Sequence, residues 1–191
     1  MSHSSEVTQL LVSIRDGNQR AYNKLFPKVY DKLKEIAAYQ LNREYGQHTF
    51  SRTELVHEAY MKLVDQDQID YSDRNHFYAI AARSMRQILV DYARKKKAQK
   101  RGDDERDLTL DEQAMNHIDI KEHAGQIIEL DVYLEELLKL DERLEKIVEL
   151  RFFAGLSIQE ASEILEISTS TANRDWAKAR GWLYKRMKSE A

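Results

Sequence analysis

The stretch that decides the fold reads Gly155-Leu-Ser-Ile-Gln-Glu-Ala-Ser-Glu-Ile-Leu-Glu-Ile-Ser168, followed by a basic segment to Met187. Gly155 suits the left-handed position that closes a preceding helix. Ser157-Ile-Gln-Glu160 has the spacing of a capping box, in which serine and glutamate each satisfy one free backbone N–H. The helix it opens turns Ile158, Ala161, Ile164 and Leu165 inward. Glu166-Ile167 makes a tight turn, where Glu166 must take a left-handed conformation at a cost of roughly 1 kcal/mol relative to glycine. Ser168 then caps a longer helix running to about Met187. A short helix, a tight turn and a longer basic helix form a helix-turn-helix.

At about 100° per residue the last helix separates into two faces. Ala172, Trp176, Ala179 and Leu183 form the inner stripe. Ser170, Arg174, Ala177, Lys178, Gly181 and Lys185 point outward, with Thr171 and Asn173 on the flanks. Arg can fork guanine, Asn can pair with adenine, and Ser or Thr can bond bases or phosphates. Small Ala177 leaves room for close approach to a groove.

Helical periodicity continues upstream. Val7, Leu10, Leu11 and Ile14 form a stripe that stops at Gly17. Asn18 can cap the next helix, which carries Ala21, Leu25, Val29, Leu33, Ile36 and Ala37. Pro27 lies inside it and is expected to kink or restart it. Ser51-Arg-Thr-Glu54 is a second capping box, opening a helix with Leu55, Ala59 and Leu63 inward. A long helix follows from about Asn75 to Lys100. Its inner stripe runs from Phe77 to Tyr92, and Arg83, Arg86, Gln87 and Arg94 are expected on its outer face.

Composition agrees with an all-α chain. One Pro and six Gly in 191 residues are too few turn-formers for a many-stranded sheet protein. The absence of Cys excludes disulfides, thiolate metal sites and thiol catalysis. No apolar run is long enough to span a bilayer, and the N-terminus lacks a signal-peptide pattern, so a cytoplasmic protein without membrane contact is expected.

The net charge of -3 conceals strong segregation. Residues 83–101 carry +7, residues 102–136 carry -10 and residues 168–188 carry +5. Two basic segments flanking an acidic one suggest two nucleic-acid surfaces. Residues 102–128 are acidic and poor in apolar side chains, and read as a flexible linker. The expected layout is two small helical domains, 1–101 and 129–191, joined by that linker.

Enzymatic chemistry finds little support. Glu54-Leu-Val-His57 has the spacing of a helical di-iron ligand pair, but no second such motif accompanies it. His57-Glu58 lacks the second histidine of a zincin, since Met61 stands there. No phosphate-binding or dinucleotide loop is present. No metal, cofactor, catalytic residue or small-molecule substrate is expected.

Two separate stretches carry a family resemblance. Leu150-Arg-Phe-Phe-Ala-Gly-Leu-Ser-Ile-Gln-Glu-Ala161, continuing through Ser168 and on from Thr171 to Leu183, resembles region 4 of sigma-70-family sigma factors. Glu54-Leu-Val-His-Glu-Ala-Tyr60 resembles region 2.2, and Asn75 to Arg94 resembles regions 2.3 and 2.4. The order and spacing are similar to those of the extracytoplasmic-function (ECF) group. That resemblance implies a bacterial sigma factor with region 2 in residues 1–101 and region 4 in residues 129–191. Its partners would be core RNA polymerase, through the β′ clamp helices and the β subunit, and promoter DNA; an anti-sigma factor is admitted as a further partner. Glu54, His57, Glu58, Met61 and Lys62 would dock on polymerase. Tyr71, Asp73, Arg74, Asn75 and His76 would capture an unstacked base of the -10 element. Arg83, Arg86, Gln87, Arg94 and Lys95 would hold phosphates around the melted strand. Ser170, Thr171, Asn173, Arg174 and Lys178 would read the -35 duplex. The alternatives are a helix-turn-helix regulator that never joins polymerase and a helical interaction protein with no nucleic-acid role.

Overall fold

The computed structural model describes residues 3–18, 20–44, 51–64, 73–101 and 120–189, and these residues form helices and short turns only. The first four helices are α1 (His3–Arg15), α2 (Ala21–Glu44), α3 (Arg52–Val64) and α4 (Arg74–Arg101). The second group is α5 (Ile120–Leu140), α6 (Glu142–Val148), a π-helical turn (Glu149–Phe153), α7 (Ile158–Ile164) and α8 (Thr169–Ser189).

Local signals place most of the ends. Gly17 closes α1 at φ 92°. The Asn18 amide turns back to donate to Ser13 Oγ at 3.1 Å. Ser51 and Glu54 complete the reciprocal capping box at the start of α3, with bonds of 3.1 and 2.8 Å. Asp141 ends α5 and caps α6, accepting from the backbone N–H groups of Arg143 and Leu144. The expected restart at Pro27 does not occur, because α2 runs unbroken through it. Proline costs a helix one donor and a steric contact, and the apolar stripe of α2 outweighs that loss. Leu25, Val29, Leu33, Ile36 and Ala37 of this helix are all buried.

The core is continuous across the two groups of helices. Leu11, Leu25, Leu33, Leu55, Leu63, Phe77 and Met85 belong to the same apolar cluster as Leu134, Leu137, Ile147 and Phe153. Helix α5 begins inside the stretch expected to be a linker. Residues 102–119 of the expected linker lie outside the described residues, and residues 120–128 are helical. Their sparse apolar residues suffice because Ile127 is buried against Val90 and Ala93 of α4. A helix can form on tertiary contact where its own periodicity is weak.

Gln40 ties the two groups together. Its amide nitrogen donates to the carbonyls of Ala82 at 3.0 Å and Phe153 at 3.2 Å. The π-helical turn supplies the second of these. There the Ala154 N–H reaches back to Glu149 O, and the Leu156 N–H to Leu150 O. The wider turn buries Leu150 and Phe153 while also directing Glu149 toward α4.

Candidate nucleic-acid interface

The helix-turn-helix is built from α7 and α8. Ser157 Oγ accepts from the Glu160 N–H at 3.1 Å, and a Glu160 carboxylate oxygen accepts from the Ser157 N–H at 2.8 Å. These bonds to Ser157 lower the Glu160 pKa below the ordinary carboxylate value. Glu166 adopts φ 53°, the left-handed turn expected of it. Ser168 Oγ accepts from the Thr171 N–H at 3.1 Å, which starts α8.

Against the body of the protein, α8 buries Ala172, Asp175 and Ala179 completely. The small side chains of Ala172 and Ala179 let the helix backbones approach closely. Asp175 adds a charged member to the inner stripe expected from apolar spacing, three residues after Ala172 and four before Ala179. Its carboxylate accepts from Arg143 Nε of α6 at 2.6 Å, an ion pair that sets α8 against its support. Trp176 is half-buried, with the guanidinium groups of Arg151 and Arg180 each 5.7 Å from its ring.

On the opposite side of α8, Ser170, Asn173, Arg174 and Lys178 are exposed and Thr171 is half-exposed. Two of these five are engaged within the helix. Asn173 Nδ2 donates to Thr169 O at 3.0 Å, and the Thr171 hydroxyl lies 2.9 Å from Ser168 Oγ. Ser170, Arg174 and Lys178 complete a polar, cationic strip along the first turns. This is the part of such a helix that reaches base edges.

The basic helix α4 departs from expectation. Arg83, Arg94 and Lys95 are exposed, as an outer face requires. Arg86 instead is only 6% exposed. It forms ion pairs with Asp131 of α5 and Glu149 of the π-helical turn. Arg94 donates to the second Asp131 oxygen at 2.9 Å. The Gln87 amide lies within reach of both Arg86 and Asp131. Of the side chains expected to hold phosphates, Arg86 is therefore buried against carboxylates of the second group of helices, while Arg94 pairs with Asp131 from an exposed position. The wheel of α4 showed which residues turn away from the first bundle, but could not show what covers them. Burial opposes the Arg86 charge, and Glu149 followed by Asp131 outweighs it, raising its pKa above the ordinary arginine value.

A third carboxylate, Glu145 of α6, lies beside this pair and is 2% exposed. Burial, then the neighbouring Glu149 charge, pushes its pKa up to about 7, against the opposing pull of Arg83 and Arg86. His76, Arg83, Glu145, Lys146 and Glu149 line a cleft of about 260 Å³ at this junction.

The segment before α4 is only partly described, and Tyr71 lies outside the described residues. Asp73 is the N-cap of α4: one carboxylate oxygen accepts from the Asn75 and His76 N–H groups at 2.7 and 2.9 Å. Arg74, Asn75 and His76 are half-buried on the first turn.

On α3, Glu54, His57, Glu58, Met61 and Lys62 share an exposed face, as the pattern implied. His57 stacks on Phe26 at 5.5 Å between ring centres. Met61 is 57% exposed, a large apolar side chain amid charges. Below it, Tyr60 is buried and donates its hydroxyl to Tyr22 O at 2.8 Å, and burial raises its pKa well above the ordinary value. Among the described residues, no group of three or more His, Cys, Asp or Glu side chains could hold a metal ion. No described helix is long and apolar enough to cross a membrane.

A family model described as ECF sigma factor matches residues 4–189, nearly the whole chain. The chain belongs to the ECF sigma factor family. Among solved structures, it is similar to CnrH in complex with the cytosolic domain of CnrY, at 17% identity and a TM-score of 0.40, covering 95% of this chain and 97% of that one. No curated protein matches it. Membership in the ECF sigma factor family makes this a DNA-binding transcription initiation factor that works with RNA polymerase, in a family that is not enzymatic. In this ECF sigma factor the first turns of α8 are open, whereas Arg86 of α4 is buried.

Proposed function

We propose that the chain binds core RNA polymerase and directs it to promoters by contacting two elements. The α8 strip of Ser170, Arg174 and Lys178, joined by Thr171 and Asn173 once their internal bonds are exchanged, reads the -35 element in the major groove. The α4 residues Arg83, Arg86, Gln87, Arg94 and Lys95 hold the backbone of the melted -10 strand. Asn75 and His76, with Arg74 and Tyr71, receive an unstacked base, while Asp73 orients the first turn of α4. Extracting that base costs a few kcal/mol, which stacking and edge bonds must offset. The α3 face from Glu54 to Lys62 docks on the β′ clamp helices. The acidic segment beginning at Gly102 follows a channel of the polymerase, where its charge resembles that of nucleic acid.

The observation that carries this reading is the α7–α8 unit: both helix starts are capped, the turn is set, and the cationic face of α8 is open. The deciding experiment adds the full chain to sigma-free core polymerase and measures open-complex formation on a library of promoter fragments. Core binding with promoter-dependent opening supports the proposal. A chain that binds duplex DNA but never core would instead be a regulator acting outside polymerase.

A further inference from the structure

We infer that Asp175 is a positioning residue: its ion pair with Arg143 sets the roll of α8, and through that roll the base discrimination of the open face. This rests on the proposed role of α8 in reading the -35 element.

The inner stripe of α8 is too smooth to fix its own rotation. Ala172 and Ala179 are fully buried and carry one methyl group each, so they allow close approach with little interlocking. Trp176 and Leu183 are only half-buried. Between the two alanines stands Asp175, fully buried, with one oxygen accepting from Arg143 Nε at 2.6 Å. A charge-assisted bond from a planar guanidinium fixes an angle as well as a distance. Arg151 adds a hold on the next residue. Its guanidinium donates to Leu156 O and lies 5.7 Å from the Trp176 ring. Arg143 belongs to α6 and Arg151 to the π-helical turn, so successive residues of α8 are gripped from separate elements.

Stability alone does not account for the pair. Asp175 Oδ1 is buried without a hydrogen-bond partner among the described residues. A buried ion pair contributes little beyond its desolvation cost, and an apolar side chain of similar volume often serves folding as well. What the carboxylate adds is a preferred orientation, and the open face needs one. Arg174 precedes Asp175 by one position, about 100° round the helix. Side chains reach about 5–6 Å from a helix axis, so a roll of about 10° carries a side-chain tip by about 1 Å. A forked bond to a base edge needs placement within roughly 0.5 Å. Contacts to phosphate carry no sequence information and survive such a shift more easily. Loss of the pair should therefore reduce discrimination between bases more than general affinity for duplex.

The test uses the full chain assembled with core polymerase. Asp175→Asn removes the charge and keeps the shape, while Arg143→Lys keeps the charge and loses the directed Nε–H. Glu142→Gln, in the exposed Glu142–Lys146 pair of the same helix, is the control. Affinity is measured for a -35 duplex selected from a randomised library, for its single-base variants and for a duplex of arbitrary sequence. D175N and R143K should each lose roughly 10-fold in the ratio of selected to single-base-variant affinity, with arbitrary-duplex affinity close to that of the control. A ratio equal to the control's overturns the proposal. An equal loss on every duplex also overturns it, since the pair would then be merely structural. If D175N does not fold, R143K decides, and unfolding of both variants overturns the proposal. A second readout needs no DNA. The chain has no native cysteine, so spin labels at Lys139→Cys of α5 and Lys185→Cys of α8, both exposed, report the seating of α8. D175N should shift or broaden their distance distribution, and an unchanged distribution overturns the proposal. A parent that shows no -35 preference sinks the reading of α8 as the -35 reader, while the label distances still decide whether the pair sets its roll.

Discussion

Glu145→Gln replaces a buried ionisable group in the cleft between α4 and α6 with a neutral one of nearly the same shape. Glu145 is 2% exposed, and its pKa rises from 4.5 to about 7. Burial is the leading cause, followed by the Glu149 carboxylate, with Arg83 and Arg86 opposing. At 1.36 kcal/mol per unit, a rise of that size corresponds to at most about 3 kcal/mol. Relaxation of the site around the ionised group reduces the expected effect to about 1–3 kcal/mol. A raised folded-state pKa favours the protonated form. The associated stability is complete below pH 4.5 and is lost as pH rises through about 7. At pH 8 the parent buries an ionised Glu145 and the variant does not, so Glu145→Gln should be the more stable protein there. The advantage should fade toward pH 4.5. Thermal unfolding of both proteins at intervals from pH 5 to pH 8 measures it, with roughly 2–4 °C of midpoint expected per kcal/mol. The other charged groups around the cleft, His76, Arg83, Arg86, Lys146 and Glu149, are present in both proteins, so the difference reports the loss of the Glu145 charge. A difference that stays flat over this range, or grows toward acid, would refute the reasoning.

Other substitutions probe the two surfaces and the turn. Glu166→Gly should stabilise the chain by about 0.5–1 kcal/mol in a denaturant titration, since φ 53° strains a residue bearing Cβ; destabilisation would show that the Glu166 side chain makes a needed contact. Arg174→Ala should weaken binding to a -35 duplex by about 1–3 kcal/mol and relax preference at one base pair, read from binding to a set of single-base variants. Uniform loss over the whole set would make Arg174 a phosphate contact. Neutralising Lys95, Lys96 and Lys97 should weaken promoter binding by the polymerase complex equally on all sequences and flatten its salt dependence, each lost phosphate contact lowering the logarithmic slope by roughly 0.7–0.9. An unchanged slope would mark this run as a solvated end of α4.

Much of the helix-turn-helix was legible because its determinants are local. A serine and a glutamate three residues apart satisfy each other's backbone at Ser157–Glu160, whatever the rest of the chain does. Gly17, Gly155 and Glu166 take left-handed conformations where helices must stop. Asp175 was equally local in spacing, but its charge concealed it: a carboxylate on the inner stripe is readable as buried only once Arg143 of another helix is seen to meet it. The helical start of α5 at Ile120 was hidden for a related reason. Its acids and thin apolar content resemble a linker until Ile127 has α4 to pack against.

The amino-acid sequence by itself determined the helical class, the capped α7–α8 unit, the exposed face of α3 and the division of charge along the chain. Periodicity and capping act over three or four residues, so each can be read from neighbouring positions. Only the tertiary structure decided the state of α4. The difference between an open phosphate-binding face and a buried ion pair is set by Asp131 and Glu149, which stand 45 and 63 positions away from Arg86 in the chain. A helical wheel shows which side chains leave their own bundle, and the electrostatics of the surface depends on what the rest of the chain brings to meet them.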